Sequence, residues 1–287
     1  MKHLNWIISI SRPRFWPYLA GPWAVGMVTA SSSISDFKNA LFWIGMLFFL
    51  WPANFFLYSV NDYADGDTDK YNPKKQNYEH LYQTNQNRLL GILLGLLAIL
   101  SIVFVSFFPT LESQIVFALW VFCSTFYSVQ PLRFKAKLFI DSCSNVLYIL
   151  PGVMVFLMFQ PLANLSWPLV VAAWVWAMGM HLFSALPDIQ SDRSAKVKTT
   201  AVWLGFKKAT LLTAVYYSTA ALLCGLYANT WLGLLAFLCY SVPTLYIYFT
   251  KNKESVFFLY KKFPFINLFS GAALFIYVIF KYNLLFS

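Results

Sequence analysis

Residues 42–69 read F-W-I-G-M-L-F-F-L-W-P-A-N-F-F-L-Y-S-V-N-D-Y-A-D-G-D-T-D. An apolar run long enough to cross a bilayer ends abruptly in the carboxylates of Asp62, Asp65, Asp67 and Asp69. The rest of the chain repeats the apolar half of that pattern. Of 287 residues, 59% are hydrophobic and 11% charged, with a mean hydropathy of +0.60. A soluble domain carries about 25% charged residues, so this chain cannot cover a water-facing surface. That excludes a soluble enzyme, a disordered protein and a coiled coil. Runs of about 20 apolar residues favour helices over the alternation of a β-barrel.

Hydropathy predicts an all-α, polytopic membrane protein with nine spans: 16–33, 38–59, 88–108, 112–129, 139–160, 167–187, 208–228, 231–249 and 264–282. The connections after odd-numbered spans are very short, and those after even-numbered spans are longer. All basic residues except Lys38 and Lys281 fall at the N-terminus, in the longer connections or at the first residue of the span that follows one. The positive-inside rule then places the N-terminus and the long loops in the cytoplasm and the C-terminus outside. The whole chain, 1–287, is expected to form one transmembrane domain in the cell membrane. A net charge of +10 spread over such loops suits anionic membrane lipids rather than nucleic acid. The four cysteines lie singly in apolar stretches, with no redox or metal-ligand spacing.

Acidic residues are few, and six of the 11 gather in two clusters. N-D-Y-A-D-G-D-T-D (61–69) follows the second span, and D-I-Q-S-D (188–192) follows the sixth. On a continuing helix, Asn61, Asp65 and Asp69 share one face at i, i+4 and i+8, as do Asp188 and Asp192. Asp62 lies about 100° away from that face. Farther back, Asn54 and Tyr58 extend the first face, and His181 and Ser184 the second. Polar groups inside spans face the bundle interior, so both faces are expected to wall a polar-mouthed cavity. Carboxylates are disfavoured at helix C-termini by about 0.3–1 kcal/mol each. Two like charges brought within about 4 Å repel by about 4 kcal/mol at an effective dielectric of about 20. Something cationic must offset that cost: nearby Lys70 and Arg193 could do part of it, and a divalent metal explains the carboxylate and amide ligands better. The donors are oxygens only, which suits Mg²⁺ or Ca²⁺ and not Zn²⁺. The lysines that follow each cluster suggest a bridged anion, and a lipid diphosphate has the matching chemistry: a charged head at the mouth and an apolar tail among helices.

With these motifs the chain resembles the UbiA superfamily of intramembrane prenyltransferases. Its signature, N-D-x-x-D-x-x-x-D after the second span and D-x-x-x-D after the sixth, matches residues 61–69 and 188–192. S-R-P-R-F-W-P-Y-L-A-G-P from Ser11, Y-S-V-Q-P-L-R-F-K from Tyr127 and D-R-S-A-K-V-K-T-T-A-V-W-L-G from Asp192 extend the likeness over almost the whole chain. Where quinone-forming members carry an R-T-x-x-R-P-like stretch, this chain has N-P-K-K, Asn72 to Lys75. That stretch and the R-F-W-P-Y-L-A-G-P opening look like the lycopene elongase branch, which builds C50 carotenoids.

The resemblance implies nine helices around a central cavity, arranged as in isoprenoid synthases. It implies transfer of an allylic prenyl group from a prenyl diphosphate, dimethylallyl diphosphate or longer, to a lipophilic acceptor such as a carotenoid. Mg²⁺ is expected on Asn61, Asp62, Asp65, Asp69, Asp188 and Asp192, with Asp65 and Asp188 central to catalysis. The diphosphate is expected on Arg12, Lys74, Tyr127, Arg133, Lys196 and Lys198. Asp141 heads a polar stripe with Asn145 and Tyr148 on the fifth span; it either caps that span or serves as catalytic cation stabiliser or proton acceptor. Asn54, Tyr58, Asn145, Tyr148 and His181 are the expected acceptor-cavity residues. Two alternatives stand beside this reading. An aromatic quinone-precursor prenyltransferase would want a basic residue deep in the helices, and the spans hold Lys or Arg only at their ends. A Mg²⁺-dependent transporter would want polar groups at both mouths, and the outer connections are nearly charge-free.

Overall fold

The computed structural model describes residues 2–64 and 87–281. Over these the helices are α1 (Lys2–Ile10), α2 (Pro17–Ala30), α3 (Ala40–Leu50), α4 (Pro52–Ala64), α5 (Asn87–Ser106), α6 (Leu111–Phe126) and α7 (Ile140–Cys143). They continue with α8 (Leu150–Phe159), α9 (Trp167–Ala185), α10 (Ile189–Ser194), α11 (Thr200–Tyr227), α12 (Thr230–Ala236), α13 (Val242–Thr250) and α14 (Lys253–Lys281). No strand occurs among the described residues.

The all-α, multi-span class is therefore as expected; the number of spans is less simple. Among the described residues, six stretches are long and apolar enough to cross a bilayer: 40–64, 87–106, 167–185, 200–227, 230–250 and 253–281. Ile140–Tyr148 and Leu150–Phe159 make a seventh if taken as one broken span. The first and fourth expected spans appear as α2 and α6, of 14 and 16 residues. At about 1.5 Å per residue both fall short of a hydrocarbon core of about 30 Å, so length alone does not establish nine.

Two expected connections are partly helical. α11 starts eight residues before the predicted 208, and α14 eleven before 264. Hydropathy registers only the apolar part of a helix, whereas caps decide where it begins. Thr199 Oγ1 accepts the Val202 amide at 3.2 Å, and Asn252 Oδ1 accepts the Glu254 amide at 3.0 Å.

The helices form two compact units. The first comprises residues 1–132, 150–165 and 278–287. There α2 packs on α8 with Gly26 against Gly152, so close that a methyl on Gly26 would fall on the Gly152 carbonyl and on Val155. Small residues at such crossings let backbones approach where lipid supplies no hydrophobic drive. An aromatic cluster fills the space beside them. Trp23 stacks on Phe49 at 5.1 Å, Phe48 on Phe104 at 4.5 Å, and Trp120 meets Phe49 edge-on at 5.4 Å. Pro52, which has no amide hydrogen, separates α3 from α4. Asn54 answers that break: its amide nitrogen donates to the Phe49 and Leu50 carbonyls at 2.8 and 3.1 Å.

The second unit comprises residues 133–149 and 166–277. α9 lies along α11, where Gly179 faces the Tyr217 ring. Phe183, Tyr217, Tyr240 and Phe263 form its aromatic centre, with Phe183 and Phe263 edge-to-face at 4.6 Å. The Tyr240 hydroxyl donates to Asn267 Oδ1 at 2.8 Å, which satisfies both groups away from water.

Gly26→Val should overpack the α2–α8 crossing and destabilise the protein by about 1–3 kcal/mol. A fall in the thermal unfolding midpoint in detergent, absent in Gly21→Ala, where a Cβ meets nothing within 4 Å, checks this.

Candidate active site

The two acidic motifs lie in different units. In the first, α4 runs on through Asn61 and Asp62 to Ala64. The adjacent side chains diverge, as helical geometry requires. Asn61 Nδ2 donates to Ser128 Oγ at 2.7 Å, just beyond the end of α6. That contact orients the amide so that its oxygen points away from Ser128. Asp62 is fully buried, and its carboxylate pairs with the guanidinium of Arg12. Arg12 sits at φ +51°, in the left-handed region, at the start of a 3₁₀ turn that leads into α2. Its guanidinium lies 4.7 Å from the centre of the Tyr58 ring. Tyr58 and Asp62 are one turn apart on α4, so both grip Arg12 from one helix. Tyr127 caps the C-terminus of α6 and is half-buried. Asp65, Asp69 and Lys74 lie outside the described residues, as do Asp67, Lys70 and Lys75.

The second motif departs from the continuous helix expected for it. α9 ends at Ala185, and Pro187 separates it from α10. Asp188 is the N-cap residue of α10, and Asp192 lies inside it, its amide donating to the Asp188 carbonyl at 2.8 Å. The i, i+4 relation survives, but on a new six-residue helix. This corrects the expected dipole penalty: the pair stands at a helix start, where carboxylates are tolerated better than at an end. Lys196, at φ +57°, turns the chain out of α10, and Lys196 and Lys198 are exposed. Arg133, at φ +36°, opens a 3₁₀ turn over Phe134–Ala136 and is half-buried. Arg12 and Arg133 thus share a backbone state and a position just before a 3₁₀ turn.

Asp141 is held by hydrogen bonds from two segments. It is fully buried. Oδ1 accepts the Thr200 hydroxyl at 2.6 Å and the Ser142 amide at 2.7 Å; Oδ2 accepts the Thr200 amide at 2.7 Å. His181 Nε2 lies 3.8 Å from Oδ2. The principal partner of Asp141 is therefore the first turn of α11, and capping of its own span is secondary. Asn145 folds back onto the Asp141 and Ser142 carbonyls at 2.7 and 3.3 Å. Tyr148 is half-buried and follows it in a 3₁₀ turn, Ser144–Tyr148, so the expected stripe is not one continuous helical face. Asn54 is buried, with its amide nitrogen on the carbonyls that end α3.

Among the described residues, no three His, Cys, Asp or Glu side chains cluster as a metal site. The donors they do offer, the Asn61 amide oxygen and the carboxylates of Asp188 and Asp192, are hard oxygens that fit a cation such as Mg²⁺. Ser128 and Thr200 are not marked by the sequence alone. Both stand inside quoted motifs, Ser128 after Tyr127 and Thr200 at the end of K-V-K-T-T, but a hydroxyl carries no spacing rule that singles it out.

Comparison with known proteins points the same way. A family model described as the UbiA prenyltransferase family matches residues 15–269. A lycopene elongase/hydratase of Haloarcula japonica is 43% identical over 202 residues, which is 70% of this chain and 68% of the relative. The lycopene elongase/hydratase of Haloferax volcanii is 40% identical over 230 residues, 76% of this chain and 71% of the relative. In fold, the chain is similar to a UbiA homolog from Archaeoglobus fulgidus bound to DMAPP and Mg²⁺, with a TM-score of 0.67, 18% identity and coverage of 95% of this chain and 98% of that one.

Removing one partner of a buried ion pair costs about 3–5 kcal/mol. Arg12→Met should therefore destabilise the protein by about that much, and adding Asp62→Asn should recover at least ~1 kcal/mol. A double-mutant cycle of unfolding midpoints in detergent measures the coupling.

Proposed function

The chain belongs to the UbiA prenyltransferase family and is a multi-pass membrane prenyltransferase; from that premise we propose that it transfers an allylic prenyl group from a prenyl diphosphate to a carotenoid-type acceptor such as lycopene. The observation that carries the reading is the pair of acidic motifs, N-D-x-x-D-x-x-x-D at the end of α4 and D-x-x-x-D after α9. The relatives named lycopene elongase/hydratase support the carotenoid acceptor. So does the confinement of Lys and Arg to the ends of the expected spans, because an aromatic acid would need a cation where the acceptor sits.

In this reading Asn61, Asp65, Asp69, Asp188 and Asp192 hold Mg²⁺ through oxygen donors, and Asp62 holds Arg12 in place. Mg²⁺, when bound, would neutralise the diphosphate and stabilise it as a leaving group. Arg12, Lys74, Tyr127, Arg133, Lys196 and Lys198 bind the phosphoryl oxygens by charge-assisted hydrogen bonds and favour the charge that develops as pyrophosphate departs. The allylic C–O bond breaks with its electron pair going to pyrophosphate. An alkene carbon of the acceptor attacks the allylic cation, and a proton leaves the product cation. Asn54, Tyr58, Asn145, Tyr148 and His181 contact the acceptor, among apolar side chains that keep water from the cation. The motif loops face the cytoplasm, from which the soluble diphosphate arrives.

Membranes holding the enzyme should, with labelled dimethylallyl diphosphate and Mg²⁺, add five-carbon units to lycopene, read by mass spectrometry. Label appearing only in an aromatic acid would overturn the acceptor assignment. Asp188→Ala should lower transfer by about 100-fold or more while the protein remains folded; undiminished turnover would remove the motif from the mechanism. A cysteine placed at Ser194 should react with a membrane-impermeant maleimide only in inside-out vesicles.

A further inference from the structure

The mechanism leaves the role of Asp141 open, and the structure supplies an unusual setting for it. The carboxylate is fully buried at the start of a predicted span, where an isolated charge is costly. Three close hydrogen bonds already hold it. Oδ1 takes the Thr200 hydroxyl and the Ser142 amide, and Oδ2 takes the Thr200 amide and faces His181. The Thr200 hydroxyl in turn accepts the Phe139 amide at 2.7 Å. Phe139 adopts φ +62°, a strained state for a bulky residue, which this bond helps to hold. Three segments of one unit meet here: α7 through Asp141, α9 through His181, and the first turn of α11 through Thr200. That turn is set apart from the rest of α11 by Gly205, at φ +70° and ψ 167°.

The segment joining α9 to α11 is the one that carries the second motif. It leaves α9 at Ala185, forms α10 with Asp188 and Asp192, turns at Lys196 and ends at Thr200. Only seven residues separate Asp192 from Thr200. Where Thr200 is fixed, the reach of the connecting backbone is fixed too.

We propose that Asp141 is a positioning residue: by clamping the amide and hydroxyl of Thr200, it sets the place of the Asp188–Lys198 segment and so of its carboxylates and lysines. The inference rests on the reading of Asp188, Asp192, Lys196 and Lys198 as the metal and diphosphate arm. It assigns Asp141 an action through those residues, without contact to the substrate.

Asp141→Asn and Thr200→Val test it, with Thr200→Ser as the conservative control. Outer-shell partners of metal ligands typically change affinity 10–100-fold when lost. Both disruptive variants should therefore raise the half-saturating Mg²⁺ concentration and the KM for dimethylallyl diphosphate by about tenfold. The KM for the acceptor should stay at its wild-type value, and Thr200→Ser should restore both shifted constants. Independently of activity, trypsin should cleave the native protein after Arg193, Lys196 or Lys198 several times faster in the two disruptive variants. Thr200→Val carries the test alone if Asp141→Asn does not fold. A raised acceptor KM with unchanged Mg²⁺ and donor constants would overturn the proposal in favour of direct contact with the acceptor. Unchanged cleavage and unchanged constants, in an enzyme that Asp188→Ala inactivates, would overturn it while leaving the motif assignment standing. Full activity of Asp188→Ala would instead remove the assignment on which it rests.

Discussion

A charge held out of water must find its counter-charge or its hydrogen bonds inside the protein. Among the described residues, two buried carboxylates meet that condition, one in each unit. In one, Asp62 takes the guanidinium of Arg12, which also lies over Tyr58. In the other, Asp141 takes both donors of Thr200 at the first turn of α11, with His181 close by. Neither pairing is a surface salt bridge of marginal worth. Both acids are fully buried, and a carboxylate left alone there would cost several kcal/mol.

The same demand reaches the backbone. Where Pro52 divides α3 from α4, the Asn54 side chain supplies donors to the carbonyls left at the break. The Trp23 indole donates to the Phe42 carbonyl at 2.9 Å while its ring covers Gly45. Such contacts recur because lipid offers no hydrogen bonds to an exposed polar group. Helix association then rests on close fit, by glycine against glycine at Gly26 and Gly152 and by stacked rings at Phe48 and Phe104.

A family that moves allylic groups needs both halves of this chemistry. Oxygen-rich and cationic side chains are required where a diphosphate is held, and a dry apolar interior where a carbocation must survive long enough to meet a carbon nucleophile. In the proposed function the first comes from two short motifs and their neighbouring lysines and arginines. The second comes from spans whose interiors lack basic residues. Left-handed backbone occurs at Arg12, Arg133 and Lys196, three cations proposed for the diphosphate, and also at Phe139 and Lys251.

How much of this was legible in the sequence depends on the range of each interaction. Hydropathy and acid spacing are local, so the all-α membrane class, the family and the two motifs could be read directly. Hydropathy marked the apolar parts of α11 and α14 but not their starts, where Thr199 and Asn252 cap polar turns that carry no apolar signal. The D-x-x-x-D spacing was legible, but its seat on a separate short helix after Pro187 was not, since a proline permits a break without locating the next helix. The partners of buried groups lay furthest from view. That Asp62 meets Arg12 across 50 positions, Asn61 meets Ser128 across 67, and Asp141 meets Thr200 across 59 is decided by helix packing alone. The sequence by itself determined which residues carry charge and at what period. Only the tertiary structure decided which charges answer one another, because that choice is made by distances that chain order does not contain.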